Sequence, residues 1–155
     1  MAKNFFPVAT GEKWIGNSVR HTSSVINELI NDAEKSLIFT AYLITSDDIV
    51  DQIEKALNRG VTVKVYIYNK QDNQSHIYNI EKLHELASNY PYLTVIDIND
   101  VVLHAKIIIS DMKVMYCGSA NLSQHALDSN YELGFLIEDS EVIGKIAQLL
   151  SKLSK

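Results

Sequence analysis

The sequence predicts an α/β fold in which a mixed parallel and antiparallel sheet is flanked by helices on both faces. In the first half of the chain, apolar strand-like segments alternate with helix-like segments, as in parallel strands joined by helical crossovers. In the second half, strand-like segments follow one another through short connections, which is typical of antiparallel strands. With 155 residues, 46% hydrophobic and 21% charged, and with no repeat or linker, the chain fits one domain over residues 1–155.

The first half contains the predicted parallel strands. Residues 10–15 are the candidate first strand, and a helix is predicted to begin at Asn17 or Ser18. Residues 36–44 are almost continuously apolar, as in a strand buried on both faces. The next helix has an N-cap and an acidic first turn in residues 45–48 and ends at Gly60. The remaining elements are a strand over residues 61–68, a helix carrying Ile77, Ile80, Leu83 and Leu86, and a strand over residues 93–98.

The second half is predicted to contain strands over residues 101–110, 113–117 and 131–138. Asp111 and Met112 form a tight connection, so the first two of these strands are expected to pair as an antiparallel hairpin. The single cysteine, Cys117, lies in an apolar strand and is expected to be a buried thiol. A closing helix begins near Ser140 and is expected to turn one apolar side inward: Val142, Ile143, Ile146, Leu149, Leu150 and Leu153.

Charge and hydropathy limit the classes of function. The net charge of −5 argues against a general polyanion binder, although it is compatible with a local basic cleft. The N-terminal segment has no signal-peptide core, and no stretch reaches the roughly 18 to 20 apolar residues that a membrane helix needs. Unless a leader has been removed, we expect a cytoplasmic protein that does not enter a membrane.

The polar residues that suggest chemistry lie in residues 103–132. His104 and Lys106 are two residues apart, so in a strand they point to the same face, and Asn130 and Glu132 form a second such pair. A lysine ammonium is a fixed positive charge for phosphoryl oxygens. A histidine can attack phosphorus or protonate a leaving oxygen. This pairing favours phosphate chemistry.

A Gly-Ser-Ala-Asn turn at residues 118–121 adds donors to this chemistry. Ser119 offers a hydroxyl, Asn121 an amide and the turn its backbone N–H groups. Glu132 is a candidate to orient an imidazole. Each feature is ordinary alone, but their conjunction on consecutive strands predicts phosphoryl transfer through a covalent histidine intermediate, with no metal and no cofactor.

The spacing His104-X-Lys106-X4-Asp111, followed by Gly118-Ser119-X-Asn121 and Asn130-X-Glu132, resembles the HKD motif of the phospholipase D superfamily. The resemblance extends more loosely over nearly the whole chain. It implies that His104 is the nucleophile, that Lys106 and Asn121 bind the phosphate with help from Gly118 and Ser119, and that Glu132 hydrogen-bonds a catalytic histidine.

Asp111 is expected to have a different role, although it belongs to the motif. Strand alternation places it on the face away from His104. We therefore expect Asp111 to be structural, pairing or capping near the hairpin turn.

The family mechanism uses two histidines, but none of the other four histidines is followed at the second position by lysine. A chain with half a site can complete it by two-fold symmetry. The sequence therefore predicts a homodimer in which His104, Lys106 and Asn121 of each subunit meet at the axis. Candidate residues at the cleft are Asn130, His125 and Tyr42, the last at the sheet edge where α/β folds bind ligands.

The leading functional hypothesis is a metal-independent phosphodiesterase, similar to single-motif bacterial endonucleases of this superfamily, that cleaves DNA or, less favoured, RNA. The runner-up is hydrolysis or head-group transfer on a phospholipid, which the absence of a Trp-rich amphipathic segment disfavours. A third hypothesis is a non-catalytic module that binds nucleic acid or a protein. The chain could also be a component of a larger DNA-processing or defence system. Strandedness and sequence selectivity stay open.

Overall fold

The computed structural model describes residues 4–154, so residues 1–3 and 155 of the predicted domain lie outside the described residues. One eight-stranded sheet has the strand order β2-β1-β8-β7-β6-β3-β4-β5. The strands are β1 Phe5–Thr10, β2 Arg20–His21, β3 Ser36–Ala41, β4 Thr62–Tyr68, β5 Leu93–Ile98, β6 Ile107–Ser110, β7 Val114–Gly118 and β8 Glu132–Ile137. The helices are α1 Thr22–Asn31, α2 Asp47–Asn58, α3 Gln74–Asn89, α4 Gln124–Asp128 and α5 Ser140–Ser151.

The sheet is mixed, as the sequence predicts. Strands β3, β4 and β5 are parallel to one another, whereas β6 pairs antiparallel with both β3 and β7, and β8 pairs antiparallel with both β7 and β1. Helices connect the parallel strands, because a parallel pair needs a crossover. In the antiparallel group, a tight turn joins β6 to β7 and a segment containing α4 joins β7 to β8. The predicted fold class is confirmed.

Each face of the sheet has its own core. On one face, Ile108 belongs to the larger cluster formed with α1, α2, α3 and α4. On the other face, Ile107 and Ile109 pack with Ile143 and Leu150 of α5. The alternation along β6 therefore sends successive side chains to opposite faces, and both faces are covered by helices.

Several predicted boundaries are wrong at the N-terminal end. The first strand is β1, and residues 11–18 form turns instead of the strand expected at residues 10–15. Pro7, which lacks a backbone donor, makes this segment read poorly as a strand, but it is tolerated close to the sheet edge. Helix α1 begins at Thr22, later than predicted, because Arg20 and His21 first pair with β1.

Two expectations about burial are also wrong. Cys117 is exposed, since its side of β7 is not covered by α5. In α5 only Ile143 and Leu150 are fully buried, and Leu149 is 58% exposed. The apolar stripe predicted on α5 is therefore wider than the part of this helix that packs on the sheet. The helices of residues 4–154 include none that is long and apolar enough to span a bilayer.

Candidate active site

The site residues meet at one edge of the sheet. Because β6, β7 and β8 alternate in direction, the start of β6, the end of β7 and the start of β8 lie at the same edge. The end of parallel strand β3 is next to the start of β6. An open depression at this edge is lined by His104, Ala105, Lys106, Ile107, Cys117, Gly118, Ser119 and Asn121.

His104 and Lys106 lie just before β6, outside the regular strand that the sequence predicts there. The Lys106 carbonyl still accepts a hydrogen bond from the Gly118 N–H at 3.3 Å, so the pairing with β7 begins at Lys106. Lys106 Nζ donates to the His104 carbonyl at 2.8 Å and lies 3.4 Å from both ring nitrogens of His104. The two side chains therefore share a side, as their spacing predicts.

Partial burial affects the two charged groups of the site in opposite senses. Burial lowers the pKa of Lys106, and the nearby carboxylate of Glu132 offsets part of that change. Burial raises the pKa of Glu132, while the hydrogen bond from Ser119 and the charge of Lys106 act in the other direction. Both charges are thus held at the edge of the depression at some electrostatic cost.

Ser119 connects the turn to β8. Its hydroxyl accepts a hydrogen bond from the Leu133 N–H at 3.0 Å and donates to Glu132 Oε2 at 3.4 Å. Within residues 4–154, no imidazole is hydrogen-bonded to the Glu132 carboxylate. The bond to a catalytic histidine that the family resemblance implies is therefore not made within the described part of one chain.

Gly118 is required where β7 and β8 come close together. A Cβ at this position would lie 2.5 Å from the Tyr116 hydroxyl and 2.6 Å from the Gly134 Cα. The Tyr116 hydroxyl accepts a hydrogen bond from the Ala120 N–H at 3.3 Å. Burial raises the pKa of Tyr116 to about 12, so the phenol stays neutral. Tyr116 thus supports the turn through the hydrogen bond to Ala120, a role that the sequence pattern does not reveal.

Asn121 follows this turn and is half-buried. Its Oδ1 atom is buried and makes no hydrogen bond to the part of the chain that the structure describes. The next residue, Leu122, is held by backbone hydrogen bonds to the segment after β3: its carbonyl accepts from the N–H groups of Thr45 and Ser46. The backbone next to Asn121 is therefore held in place, while the Oδ1 atom of its side-chain amide has no hydrogen-bond partner among the described residues.

Tyr42, a candidate cleft residue, does reach the site. Its ring contacts the His104 imidazole edge to face, with 4.6 Å between centroids, and Lys106 Nζ lies 5.3 Å from its centre. Its ring also stacks on that of Tyr68, which is not among the candidate site residues predicted from the sequence. The signal available in the sequence is that Tyr68 ends a strand next to the one that Tyr42 follows.

Asp111 lies past the opposite end of β6 from His104. Its carboxylate accepts hydrogen bonds from the backbone N–H groups of Glu34, Lys35 and Ser36 at 2.7–3.2 Å. Asp111 and Met112 have φ values of 54° and 56°, so strand alternation does not extend to Asp111. The separation from His104 is as expected, but its cause is the length of β6 and not the side-chain parity.

The other two candidate cleft residues do not line the depression. His125 lies on α4, where its Nδ1 atom is 3.2 Å from the Ser129 hydroxyl. Asn130 is exposed, and its backbone N–H donates to the His125 carbonyl at 2.7 Å. Among the described residues, no three His, Cys, Asp or Glu side chains are grouped closely enough to hold a metal ion.

Comparison with known families agrees with this architecture. The sequence model of the family described as "Cardiolipin synthase, PLD-like domain" matches residues 26–154, which include every residue of the depression. The chain belongs to the phospholipase D superfamily. The phospholipase D-like domain defined by this match lacks only β1, β2 and the start of α1.

Individual relatives of this phospholipase D-like domain have different names. DISARM protein DrmC from Bacillus paralicheniformis is 31% identical over 140 residues, which cover 88% of this chain and 58% of that protein. Cardiolipin synthase A from Buchnera aphidicola is 25% identical over 141 residues, which cover 86% of this chain and 27% of that protein. The chain thus spans less than two thirds of either relative.

A solved structure has the same fold over almost its full length. NucT from Helicobacter pylori has a TM-score of 0.76 and 23% sequence identity, and the match covers 96% of this chain and 95% of that one. At this identity the likeness shows the fold alone.

Proposed function

We propose that this protein is a metal-independent phosphodiesterase that cleaves nucleic acid, DNA before RNA, through a covalent phosphohistidine. The observation that carries the proposal is the convergence of His104, Lys106, Ser119 and Asn121 on one open depression. The His104 imidazole is exposed, and apart from the ammonium of Lys106 it has no hydrogen-bond partner among residues 4–154. It is therefore available to a phosphorus atom.

In the proposed reaction, a neutral His104 nitrogen attacks phosphorus. The N–P bond forms as the bond to the leaving ester oxygen breaks, and a second imidazole protonates that oxygen. Water then attacks phosphorus as the N–P bond breaks, and it loses a proton to the second imidazole. This step releases a phosphomonoester and restores His104. Lys106, Asn121 and Ser119 stabilise the charge on the non-bridging oxygens.

The second imidazole is proposed to be His104 of an identical subunit. One chain offers a single His-X-Lys pair, and a two-fold interface brings the same surface of both subunits together. Two copies of Lys106 would concentrate positive potential in the cleft despite the net charge of −5. Glu132, which has no imidazole partner among residues 4–154, then contacts one of the paired catalytic histidines.

An exposed apolar surface next to the depression supports this arrangement. On the α5 side of the sheet, pairing of β1, β8 and β7 places Phe5, Pro7, Phe135, Leu133 and Cys117 on one face. Phe5, Leu133 and Phe135 are each about half exposed, at 47%, 53% and 49%. Cys117 also lines the depression. We propose that a second copy covers this surface, which we call the apolar face, and so completes the site.

The similarity to DISARM protein DrmC supports the idea that the domain is a component of a larger DNA-processing or defence system. The similarity to cardiolipin synthase A favours the second candidate, a phospholipid phosphodiesterase or transferase. The reaction at His104 and Lys106 is the same for a nucleic acid and for a phospholipid. The two candidate functions therefore differ only in the group that is attached to the phosphate.

The deciding experiment compares DNA and phosphatidylcholine as substrates in the presence of EDTA, followed by mapping of the trapped phosphoryl group under alkaline conditions, because the N–P bond of a phosphohistidine hydrolyses in acid. We expect DNA cleavage that chelation does not reduce and a nucleotide attached to His104. Turnover of phosphatidylcholine alone would favour the lipid enzyme. Equal behaviour of wild type and His104→Ala on every phosphodiester would favour a non-catalytic binding module.

A further inference from the structure

Two tyrosines lie side by side at the carboxyl ends of neighbouring parallel strands. In the register of β3 and β4, Ala41 lies opposite Ile67, so the next positions, Tyr42 and Tyr68, are also neighbours. Their rings are nearly parallel, with an interplanar angle of 8° and 5.6 Å between centroids. Tyr42 and Tyr68, called here the tyrosine pair, thus form a two-ring stack at the edge that carries the active site.

The tyrosine pair is continuous with the nucleophile. Tyr42 contacts the His104 ring at 4.6 Å between centroids, and Lys106 Nζ lies 5.3 Å from the Tyr42 centre. Tyr42 is therefore in contact with Tyr68, the imidazole and the ammonium. Tyr68 makes neither of these contacts with His104 and Lys106. Its ring is therefore the outer member of the row formed by Tyr68, Tyr42 and His104.

Hydrogen bonds from α3 hold the Tyr68 carbonyl and the backbone of Ile44, two residues after Tyr42. His76 of α3 is fully buried; its Nδ1 atom accepts from the Ile44 N–H at 2.9 Å, and its Nε2 atom donates to the Tyr68 carbonyl at 2.7 Å. Asn79 Nδ2 also donates to the Ile44 carbonyl at 3.2 Å. These bonds fix the segment after β3 and the end of β4 before any substrate arrives, which lowers the entropy cost of binding there.

The rings themselves are only partly buried. Neither the Tyr42 nor the Tyr68 hydroxyl makes a hydrogen bond to any residue from 4 to 154, so core hydrogen bonding does not explain these phenols. A partly exposed aromatic ring beside a phosphate site is the arrangement by which proteins stack unpaired nucleobases.

We propose that Tyr68, backed by Tyr42, stacks on the nucleobase adjacent to the attacked phosphodiester, and that the site consequently acts on single-stranded nucleic acid. This inference rests on the proposed function. In a duplex both faces of each base are covered by neighbouring bases, so a base reaches such a platform only when it is unpaired or turned out of the stack. Stacking on one aromatic side chain changes binding by about 5- to 150-fold per base.

The test separates bases from phosphates. One single-stranded DNA oligomer carries normal bases, and a second of equal length carries abasic residues with the same phosphates. Cleavage and equilibrium binding are measured for both, together with a duplex of the first. For the wild type we expect kcat/KM and affinity to be about 10-fold or more higher for the base-bearing strand than for the abasic strand, and cleavage of the duplex to be slower than that of the single strand.

Variants assign this preference to Tyr68. Tyr68→Leu is expected to bring the ratio of base-bearing to abasic cleavage close to 1, whereas Tyr68→Phe keeps the wild-type ratio because the ring remains. Tyr78→Leu is the matched control: Tyr78 is 56% exposed on α3 and lies outside the row. A single 2-aminopurine flanked by abasic residues adds a measurement that needs no variant, since its fluorescence is quenched if it stacks on the wild-type protein.

Every outcome decides between the two proposals. Equal handling of base-bearing and abasic strands by the wild type, an unquenched 2-aminopurine, or an unchanged ratio in folded Tyr68→Leu overturns the stacking site even if DNA is cleaved. Base-dependent binding without cleavage supports the stacking site and removes the proposed nuclease function. If Tyr68→Leu does not fold, the wild-type ratio and the quenching still decide.

Discussion

The Nδ1 atom of His76 accepts a hydrogen bond from the backbone N–H of Ile44 at 2.9 Å, inside the core. Because Nε2 of the same ring donates to the Tyr68 carbonyl at 2.7 Å, one imidazole joins the segment after β3 to the end of β4. A side chain of α3 thus satisfies two backbone groups close to the active-site edge.

Replacing His76 with Leu keeps the volume but leaves the Ile44 N–H and the Tyr68 carbonyl buried without partners. We expect the free energy of unfolding to fall by about 2–4 kcal/mol, since each unpaired buried polar group costs about 1–3 kcal/mol. Urea denaturation measures this loss. His84→Leu on the same helix is the control: His84 contacts Asp97 at a partly exposed site, where such a pair contributes about 0–1 kcal/mol. Equal losses in both variants would contradict the role given to His76.

Asp111 is predicted to matter for stability and not for turnover. Asp111→Asn replaces one acceptor oxygen by an NH₂ group that would face backbone N–H donors, so we expect a loss of about 1–3 kcal/mol in the free energy of unfolding. Turnover of the folded variant at low temperature should match the wild type. Abolished turnover in a fully folded Asp111→Asn protein would assign Asp111 to the reaction.

The same residue gives a pH dependence. Burial acts to raise the pKa of Asp111, but the hydrogen bonds from Ser36, Glu34 and Lys35 and the charge of Lys113 outweigh it, and the pKa is lowered from 3.8. The stabilisation is therefore complete above the ordinary pKa of an aspartate and is lost as the pH falls through the lowered value. The difference in stability between wild type and Asp111→Asn should shrink below pH 3.8 and be constant at neutral pH.

The chemistry of the edge was predictable from sequence because it is local. His104 and Lys106 are two residues apart, and their contact needs only an extended backbone, which persists although the regular strand begins at Ile107. The turn at Gly118 likewise depends on neighbouring residues. Their spacing in the chain was enough to expect a shared site.

The supporting residues could not be predicted because their contacts depend on the folded geometry and follow no sequence pattern. His76 meets Ile44 only through the packing of α3, and Tyr116 meets Ala120 only through the turn geometry. The prediction of which α5 residues are buried also failed because it depends on packing. A helical apolar stripe shows which side of a helix avoids water but not how much of that side the sheet can cover. Leu149 remains 58% exposed because α5 packs on the sheet through Ile143 and Leu150.

Glu132 is predicted to lower stability while serving the reaction. Burial raises its pKa above 4.5, so the folded state binds the proton more tightly and ionisation at higher pH destabilises the fold. Glu132→Gln should therefore be slightly more stable than the wild type at pH 7, an advantage that disappears below pH 4.5, and it should lose most turnover. Thermal melts across pH and kcat measure both effects. Glu81→Gln, an exposed change on α3, should alter neither; lower stability of Glu132→Gln at pH 7 would refute the argument.

A charge placed on the apolar face should separate the proposed subunits. Phe135 is 49% exposed on β8, so Phe135→Asp is expected to leave the fold intact but to introduce two aspartates into a two-fold interface. We expect a monomer by light scattering together with loss of turnover. Tyr78→Asp places the same charge on α3, away from the apolar face, and should stay dimeric and active. An active Phe135→Asp monomer would contradict the proposal that two subunits share one site.

Mixed subunits test the sharing of His104 directly. If one site needs His104 from both subunits, a dimer of one wild-type and one His104→Ala chain has a nucleophile or a proton donor but not both, and is inactive. After random exchange of equal amounts of the two chains, only about one quarter of the dimers are fully wild type, so the mixture should retain about a quarter of the activity of an equal total of wild type. Independent sites would instead retain about half. Mixing with His125→Ala, which lies outside the depression, should keep close to full activity and controls for the exchange step.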